Sequence, residues 1–279
     1  MIFGPVISAE QAIQLLDGAI VLDARAGPDA HAAYLAGHVA GAIDVDLEAD
    51  LSRVGDPCSG GRHPLPPLER WLARLGEWGI SESTPVLIYD AAGSGMAAAR
   101  AWWMLDAIGH QALAVVDGGW ASLQDAGAPT EHGRGLPRSV STAYRTPMAR
   151  WPSVDVDFVD RVRRDPSWRV IDARAPERYA GRSEPLDPLA GHIPGAHNLY
   201  WQTQIDEAGK LIDLASLRAQ YAEILGNTPP ERVVSYCGSG VTACHLLLAM
   251  AACGLRGAHL YVGSWSEWCR IREGAISAE

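Results

Sequence analysis

The chain has 279 residues, enough for one large domain or two of ordinary size, each burying its own core. A hydrophobic fraction of 48% is that of a globular protein and excludes a disordered one. The net charge of −10, without a dense basic run, argues against nucleic acid or an anionic membrane as partner. Met1-Ile2-Phe3-Gly4-Pro5 has no basic segment leading into an apolar stretch, so no secretory signal is read there. The longest apolar segment, 245–255, is interrupted by His245 and Gly254 and is too short to span a bilayer. Five cysteines, odd in number and irregularly spaced, fit a reducing compartment, so the expected location is the cytoplasm.

In chain order, Val21-Leu22-Asp23-Ala24-Arg25 reads as a short apolar strand ending in a charged pair, and the turn Gly37-His38-Val39-Ala40-Gly41-Ala42 follows. Val86-Leu87-Ile88-Tyr89-Asp90 and Val115-Val116-Asp117-Gly118-Gly119-Trp120 are the next apolar runs. Residues 128–148, rich in Gly, Pro, Arg and Thr, read as a linker. Beyond it the same signals return in the same order: Val170-Ile171-Asp172-Ala173-Arg174, Gly191-His192-Ile193-Pro194-Gly195-Ala196, Val233-Val234-Ser235-Tyr236-Cys237 and Leu260-Tyr261-Val262-Gly263-Ser264-Trp265. The economical reading is two copies of one domain, 1–130 and 151–279, joined by 131–150. Short apolar strands separated by helix-length segments predict an α/β fold, a parallel sheet with helices on both faces in each copy.

Chemistry concentrates where the third strand of the second copy ends. A β-branched run stops at Cys237, Gly238-Ser239-Gly240-Val241-Thr242 follows, and an apolar helix occupies 243–252. Ligands of such sheets bind at the carboxyl ends of strands. A thiol there faces loop N–H groups and the positive end of a helix dipole, a setting that stabilises an anion on sulfur. Glycines at 238 and 240 let the backbone curl around that sulfur. Val241 reads as packing, and the Thr242 hydroxyl is placed either to cap the helix or to bond the sulfur. The alternative is a buried structural cysteine. At the matching place the first copy has Asp90, which cannot carry sulfur.

The run Cys-Gly-Ser-Gly-Val-Thr-Ala at 237–243 resembles the active-site loop of the rhodanese-type sulfurtransferases, in particular their 3-mercaptopyruvate branch. With the repeat, the resemblance covers nearly the whole chain. It implies two tandem rhodanese-like domains, the first inactive and the second catalytic, with sulfane sulfur carried as a Cys237 persulfide. It also implies that Ser239 works with a histidine and an aspartate supplied from the first domain, for which His63 (in His63-Pro64-Leu65-Pro66) and Asp46 (in Asp44-Val45-Asp46) are the matching candidates. Such a chain could protonate a departing enolate. Arg178, six positions after Asp172, matches the arginine that grips the donor anion. Gly238, Gly240, Val241 and Thr242 complete the expected substrate-binding loop.

Thiosulfate-preferring members resemble one another in carrying Arg and Lys directly after the cysteine, which suits a dianion. Gly238 and Ser239 are neutral here and suit a donor of lower charge. Many mercaptopyruvate enzymes carry a second arginine after a Pro-Glu-Pro segment. This chain departs there, Glu184-Pro185 being followed by Leu186 and Asp187, with Arg182 the nearby substitute. The expected activity is sulfur transfer from 3-mercaptopyruvate, a small sulfur donor, to a thiol, a thioredoxin-like protein or cyanide, with no metal and no organic cofactor. Thiosulfate:cyanide transfer is the alternative within the family, and a non-catalytic sulfur-relay or binding module the alternative outside it. A cysteine phosphatase is disfavoured because its C-x5-R pattern would need arginine at the position of Ala243. Asp172 and Arg174 are expected to brace a strand end, and His38 and His192, at matching places in both copies, to be structural. Cys58, Cys244, Cys253 and Cys269 lack zinc-site spacing, and the ten tryptophans read as packing.

Overall fold

The computed structural model describes residues 4–53, 55–91, 97–135 and 143–272. Residues 136–142 of the expected linker lie outside them. The chain divides into two compact units, one formed by Met1–Ser52, Pro66–Trp151 and Ile205–Leu211, the other by Arg53–Leu65, Pro152–Gln204 and Ile212–Glu279. The segment Arg53–Leu65, which lies in the first copy by sequence, thus belongs to the second unit.

The first unit runs β1 (Val6–Ile7), α1 (Ala9–Ile13), β2 (Ile20–Asp23), α2 (Ala30–Ala36), β3 (His38–Val39), β4 (Ile43–Asp44), α3 (Leu68–Glu77), β5 (Val86–Tyr89), α4 (Ala97–Asp106), β6 (Leu113–Val116), α5 (Gly119–Asp125) and β7 (Thr130–Glu131). Its five-stranded sheet has the order β1-β6-β5-β2-β4, every pairing parallel. All residues of β2, β5 and β6 are buried, which requires cover on both faces. Val21, Leu87 and Val116 pack with Ala9 and Ala12 of α1 and Leu123 of α5, while α4 packs against β5 and β6. Glu131, at the start of the segment read as linker, sits on a strand paired antiparallel with β3 and accepts the Gly41 N–H at 2.9 Å.

The second unit repeats the plan with α6 (Val156–Val162), β8 (Arg169–Asp172), α7 (Pro176–Tyr179), β9 (His197–Asn198), α8 (Leu214–Leu225), β10 (Val233–Tyr236), α9 (Ala243–Ala252), β11 (His259–Leu260) and α10 (Ser264–Ile271). Its parallel sheet has the order β11-β10-β8-β9. Val170, Val234, Tyr236 and Tyr261 pack with Val159 and Val162 of α6 and Trp265 and Trp268 of α10. The almost wholly apolar α9 packs against β10 and β11. No helix among the described residues is long and apolar enough to cross a membrane.

Both copies use one brace at the end of an inner strand, β2 in the first and β8 in the second. Arg174 Nη2 donates to Asp172 Oδ2 at 2.6 Å and to the Gly191 carbonyl at 2.7 Å. Arg25 does the same to Asp23 Oδ2 at 2.6 Å and to the Gly37 carbonyl at 2.8 Å. A tyrosine from the neighbouring strand joins each pair: Tyr89 donates to Asp23 Oδ2 at 2.6 Å, and Tyr236 bonds Asp172. Burial, reinforced by Asp172, holds the Tyr236 phenol well above its usual pKa, so it stays protonated and able to donate. The same two hydroxyls accept the Val39 and Ile193 N–H groups at 3.1 and 3.2 Å, tying each strand to its Gly-His turn. His38 and His192 stack on Tyr34 and Tyr179 with ring centroids 3.8 Å apart, and each Nδ1 bonds the same tyrosine's carbonyl. These contacts give both histidines structural places.

The Asp172–Arg174 side chains are 0% and 1% exposed, so removing one partner strands a charge in the interior. Asp172→Ala is expected to lower unfolding free energy by about 3–5 kcal/mol in urea titrations. A loss below about 1 kcal/mol would show that the brace adds little beyond a surface ion pair.

Candidate active site

Strand β10 carries the chain to Cys237, which is 2% exposed, and the loop 238–242 turns it into α9. Gly240 has φ +77°, and a Cβ there would lie 2.5 Å from the Val262 carbonyl oxygen, so only glycine fits this turn. The turn aims the Gly240 N–H at Cys237 Sγ, 3.1 Å away, where it favours negative charge on sulfur. The start of α10 anchors the other side of the loop: the Trp265 and Ser266 N–H groups donate to the carbonyls of Cys237 and Gly238 at 3.0 and 2.9 Å. Val241 is buried packing, 5% exposed, as expected. Thr242 stands at the N-cap of α9 without a side-chain capping bond. Its φ of −68° and ψ of −17° are already helical, so its hydroxyl is not in the extended cap geometry that reaches the next N–H groups.

Ser264 is the single non-glycine residue with positive φ among the described residues, at +53°. The first copy has Gly119 at this place with φ +55°, packed so closely on the Asp90 carbonyl that no side chain fits. The second copy accepts the left-handed strain and gains a hydroxyl. Ser264 Oγ accepts the Cys237 N–H at 3.1 Å and donates to the Tyr261 carbonyl at 2.9 Å. Sequence reading passed over Ser264 because its role depends on a backbone angle.

The segment 53–65 delivers two further groups. Gly60 N–H donates to Glu267 Oε1 at 2.7 Å, Arg62 N–H donates to Ser266 Oγ at 3.0 Å, and Gly61 (φ +79°) lies too close to the Gly263 carbonyl for a side chain. The glycine pair lets the segment lie flat on the start of α10, and the next two residues then face the cysteine loop. His63 Nδ1 is 2.7 Å from Ser239 Oγ, joining two of the expected residues. Asp46, the third, belongs to the first unit, where its carboxylate accepts the N–H groups of Glu48 and Ala49 at 2.8 and 2.7 Å.

Arg62 was not anticipated. A Cβ at position 238 would lie 3.1 Å from Arg62 Nη2 and 3.4 Å from both terminal nitrogens of Arg178. Two guanidiniums therefore face the first loop residue, although the loop itself is neutral. Arg178 is held by Glu184 at 2.6 Å, and Glu184 also accepts from Arg174 at 3.2 Å. Arg62 is held by Asp187, which also takes Arg270 at 2.9 Å. Arg182, the substitute expected from sequence, is exposed, and the second guanidinium comes from Arg62. The only sequence signal for this was Gly60-Gly61 directly before Arg62-His63, a pair of residues permitting close backbone approach.

The rhodanese-like domain family matches residues 8–126 and 155–271, both halves of the repeat. The chain belongs to the rhodanese family of sulfurtransferases. It is 36% identical over 236 residues to a probable 3-mercaptopyruvate sulfurtransferase of Pseudomonas aeruginosa, covering 84% of this chain and 82% of that protein. It is 37% identical over 265 residues to a putative thiosulfate sulfurtransferase, SseB, of Mycobacterium tuberculosis, covering 92% and 89%. Among solved structures, 3-mercaptopyruvate sulfurtransferase from Leishmania major superposes with a TM-score of 0.87 at 30% identity, covering 98% of this chain and 76% of that one.

Ser264→Ala removes the acceptor of the buried Cys237 N–H but keeps the strained angle, and is expected to lower stability by about 1–3 kcal/mol in thermal unfolding. Ser264→Gly should recover roughly 1 kcal/mol of that by relieving the left-handed strain. Equal stability of the alanine and glycine variants would argue against stored strain at this position.

Proposed function

We propose that this sulfurtransferase takes the thiol sulfur of 3-mercaptopyruvate onto Cys237, where it becomes the sulfane sulfur of a persulfide, and passes it to a thiol or cyanide. The Cys237 thiolate attacks the donor sulfur and forms an S–S bond. The carbon–sulfur bond breaks, and its electron pair leaves on the three-carbon fragment as the pyruvate enolate. Carbon must then receive a proton. The observation that carries this reading is the 2.7 Å bond between His63 Nδ1 and Ser239 Oγ, a proton relay two residues from the nucleophile. The persulfide sulfur rests against the Gly240 N–H, as an oxyanion rests in its hole, until an acceptor thiolate attacks the outer sulfur and regenerates the Cys237 thiolate. Arg178 and the Gly238 end of the loop receive the donor's carboxylate. The acceptor is a small thiol or a thioredoxin-like protein. Five free cysteines support a reducing compartment, the cytoplasm.

Thiosulfate:cyanide transfer is the second reading, favoured by the pair of guanidiniums, Arg62 and Arg178, at the loop. The two donors differ in what leaves. Sulfite departs as a stable anion and needs no proton, whereas an enolate does.

Wild-type kcat/KM for 3-mercaptopyruvate should exceed that for thiosulfate by about tenfold or more, and Cys237→Ser should turn over neither. Ser239→Ala and His63→Gln should each lower kcat with mercaptopyruvate by roughly 10²-fold and leave thiosulfate turnover within about threefold. Equal losses with both donors would remove the relay from the mechanism. Turnover by Cys237→Ser would remove the persulfide itself.

A further inference from the structure

Asp187 stands in the segment where many mercaptopyruvate enzymes carry their second arginine, so the chain has an acid where a base is expected. Its carboxylate is fully buried, at 0% side-chain exposure, yet it is surrounded by cations at the mouth of the Cys237 loop. One oxygen takes the Arg62 guanidinium and lies 3.9 Å from Arg178, and the other takes Arg270 at 2.9 Å. The Asp187 N–H donates to Glu184 Oε1 at 3.2 Å, so the acid is seated on the carboxylate that already holds Arg178. Four guanidiniums, those of Arg62, Arg174, Arg178 and Arg270, thus share two buried carboxylates, Glu184 and Asp187, beside a neutral loop, and Arg174 is also paired with Asp172.

We infer that Asp187 is a positioning residue that sets the charge the site accepts: it holds Arg62 against the Cys237 loop and offsets part of the guanidinium charge, tuning the site to singly charged donors over dianions. The physical reason is that Coulomb energy scales with the product of the interacting charges. Each unit of site charge acts twice as strongly on a dianion as on a monoanion at the same place, and burial screens it poorly. An unopposed pair of guanidiniums would favour thiosulfate. The same pair with Asp187 at its back retains the hydrogen-bonding geometry for a carboxylate while losing much of that preference. The inference rests on the keto-acid reading above for its choice of monoanion.

The test is kcat/KM for thiosulfate divided by that for 3-mercaptopyruvate, in wild type, Asp187→Asn and Arg62→Gln, at low and high ionic strength. Asp187→Asn keeps the shape and removes the charge. It should raise the ratio by about tenfold, chiefly through a lower KM for thiosulfate, and the gain should shrink as salt screens it. Arg62→Gln should move the ratio the other way. A structural role alone would weaken both donors alike and leave the ratio in place. If Asp187→Asn folds and the ratio is unchanged or falls, the inference is overturned. If that variant does not fold, Arg62→Gln decides, a ratio unchanged or raised overturning it. A wild-type preference for thiosulfate would overturn the keto-acid reading, while the shift between variants would still report on Asp187.

Discussion

The second unit depends on an alternating chain of charges that begins inside its sheet. Asp172 at the end of β8 holds Arg174, Arg174 holds Glu184, Glu184 holds Arg178, and Asp187 beside it holds Arg62 and Arg270. Each buried charge in this chain is tolerable because the next one neutralises it, and removing a member leaves its neighbour stranded in low dielectric. The chain is also how a rigid strand end controls groups in a loop. Arg178 and Arg62 are long flexible side chains, and without fixed carboxylates their positions near Gly238 would be lost to rotamer entropy.

Comparison of the two copies shows what a catalytic site adds to a common scaffold. Both keep the Asp–Arg brace, its bond to a glycine carbonyl, the tyrosine that donates to it and the stacked Tyr–His pair. Both also place a cation over a tryptophan, Arg25 on Trp120 and Arg174 on Trp265, at 5.1 and 4.8 Å. These features belong to folding. The differences fall where β5 and β10 end: Asp90 against Cys237, and Gly119 against Ser264 in the turn that backs them. A glycine that relieves strain in one copy is replaced by a strained serine in the other, where its hydroxyl secures the nucleophile's own N–H. Strain is thus held beside Cys237 and absent at the matching glycine beside Asp90.

The neutral cysteine loop and the charged residues around it have separate tasks. The loop stabilises sulfur through a backbone donor, which is indifferent to the identity of the donor molecule. Side chains from elsewhere in the unit reach that loop: Arg178 from α7, and Arg62 with His63 from the 53–65 segment.

The sequence by itself determined the architecture and the nucleophile. Apolar strand runs, their ordered recurrence and the Cys-Gly-Ser-Gly loop are local signals, and each depends on neighbours a few positions away. They predicted the parallel sheets, the helix at 243–252 and the structural place of His38 and His192, whereas the pairing of His63 with Ser239 was implied by the family resemblance alone. Tertiary structure alone decided that Arg62 joins Arg178 beside the cysteine loop, with Asp187 and Arg270 behind it. Arg62 and Asp187 are 125 positions apart and Asp187 and Arg270 are 83 apart, and nothing in the neighbourhood of each states its partner. The same holds for Ser264, whose importance lies in a backbone angle, and for Thr242, whose residue type suits a capping bond that its backbone geometry does not make. Local patterns encode elements because hydrogen bonding and side-chain periodicity are short-ranged along the chain, whereas Coulomb interactions and steric contacts act through space.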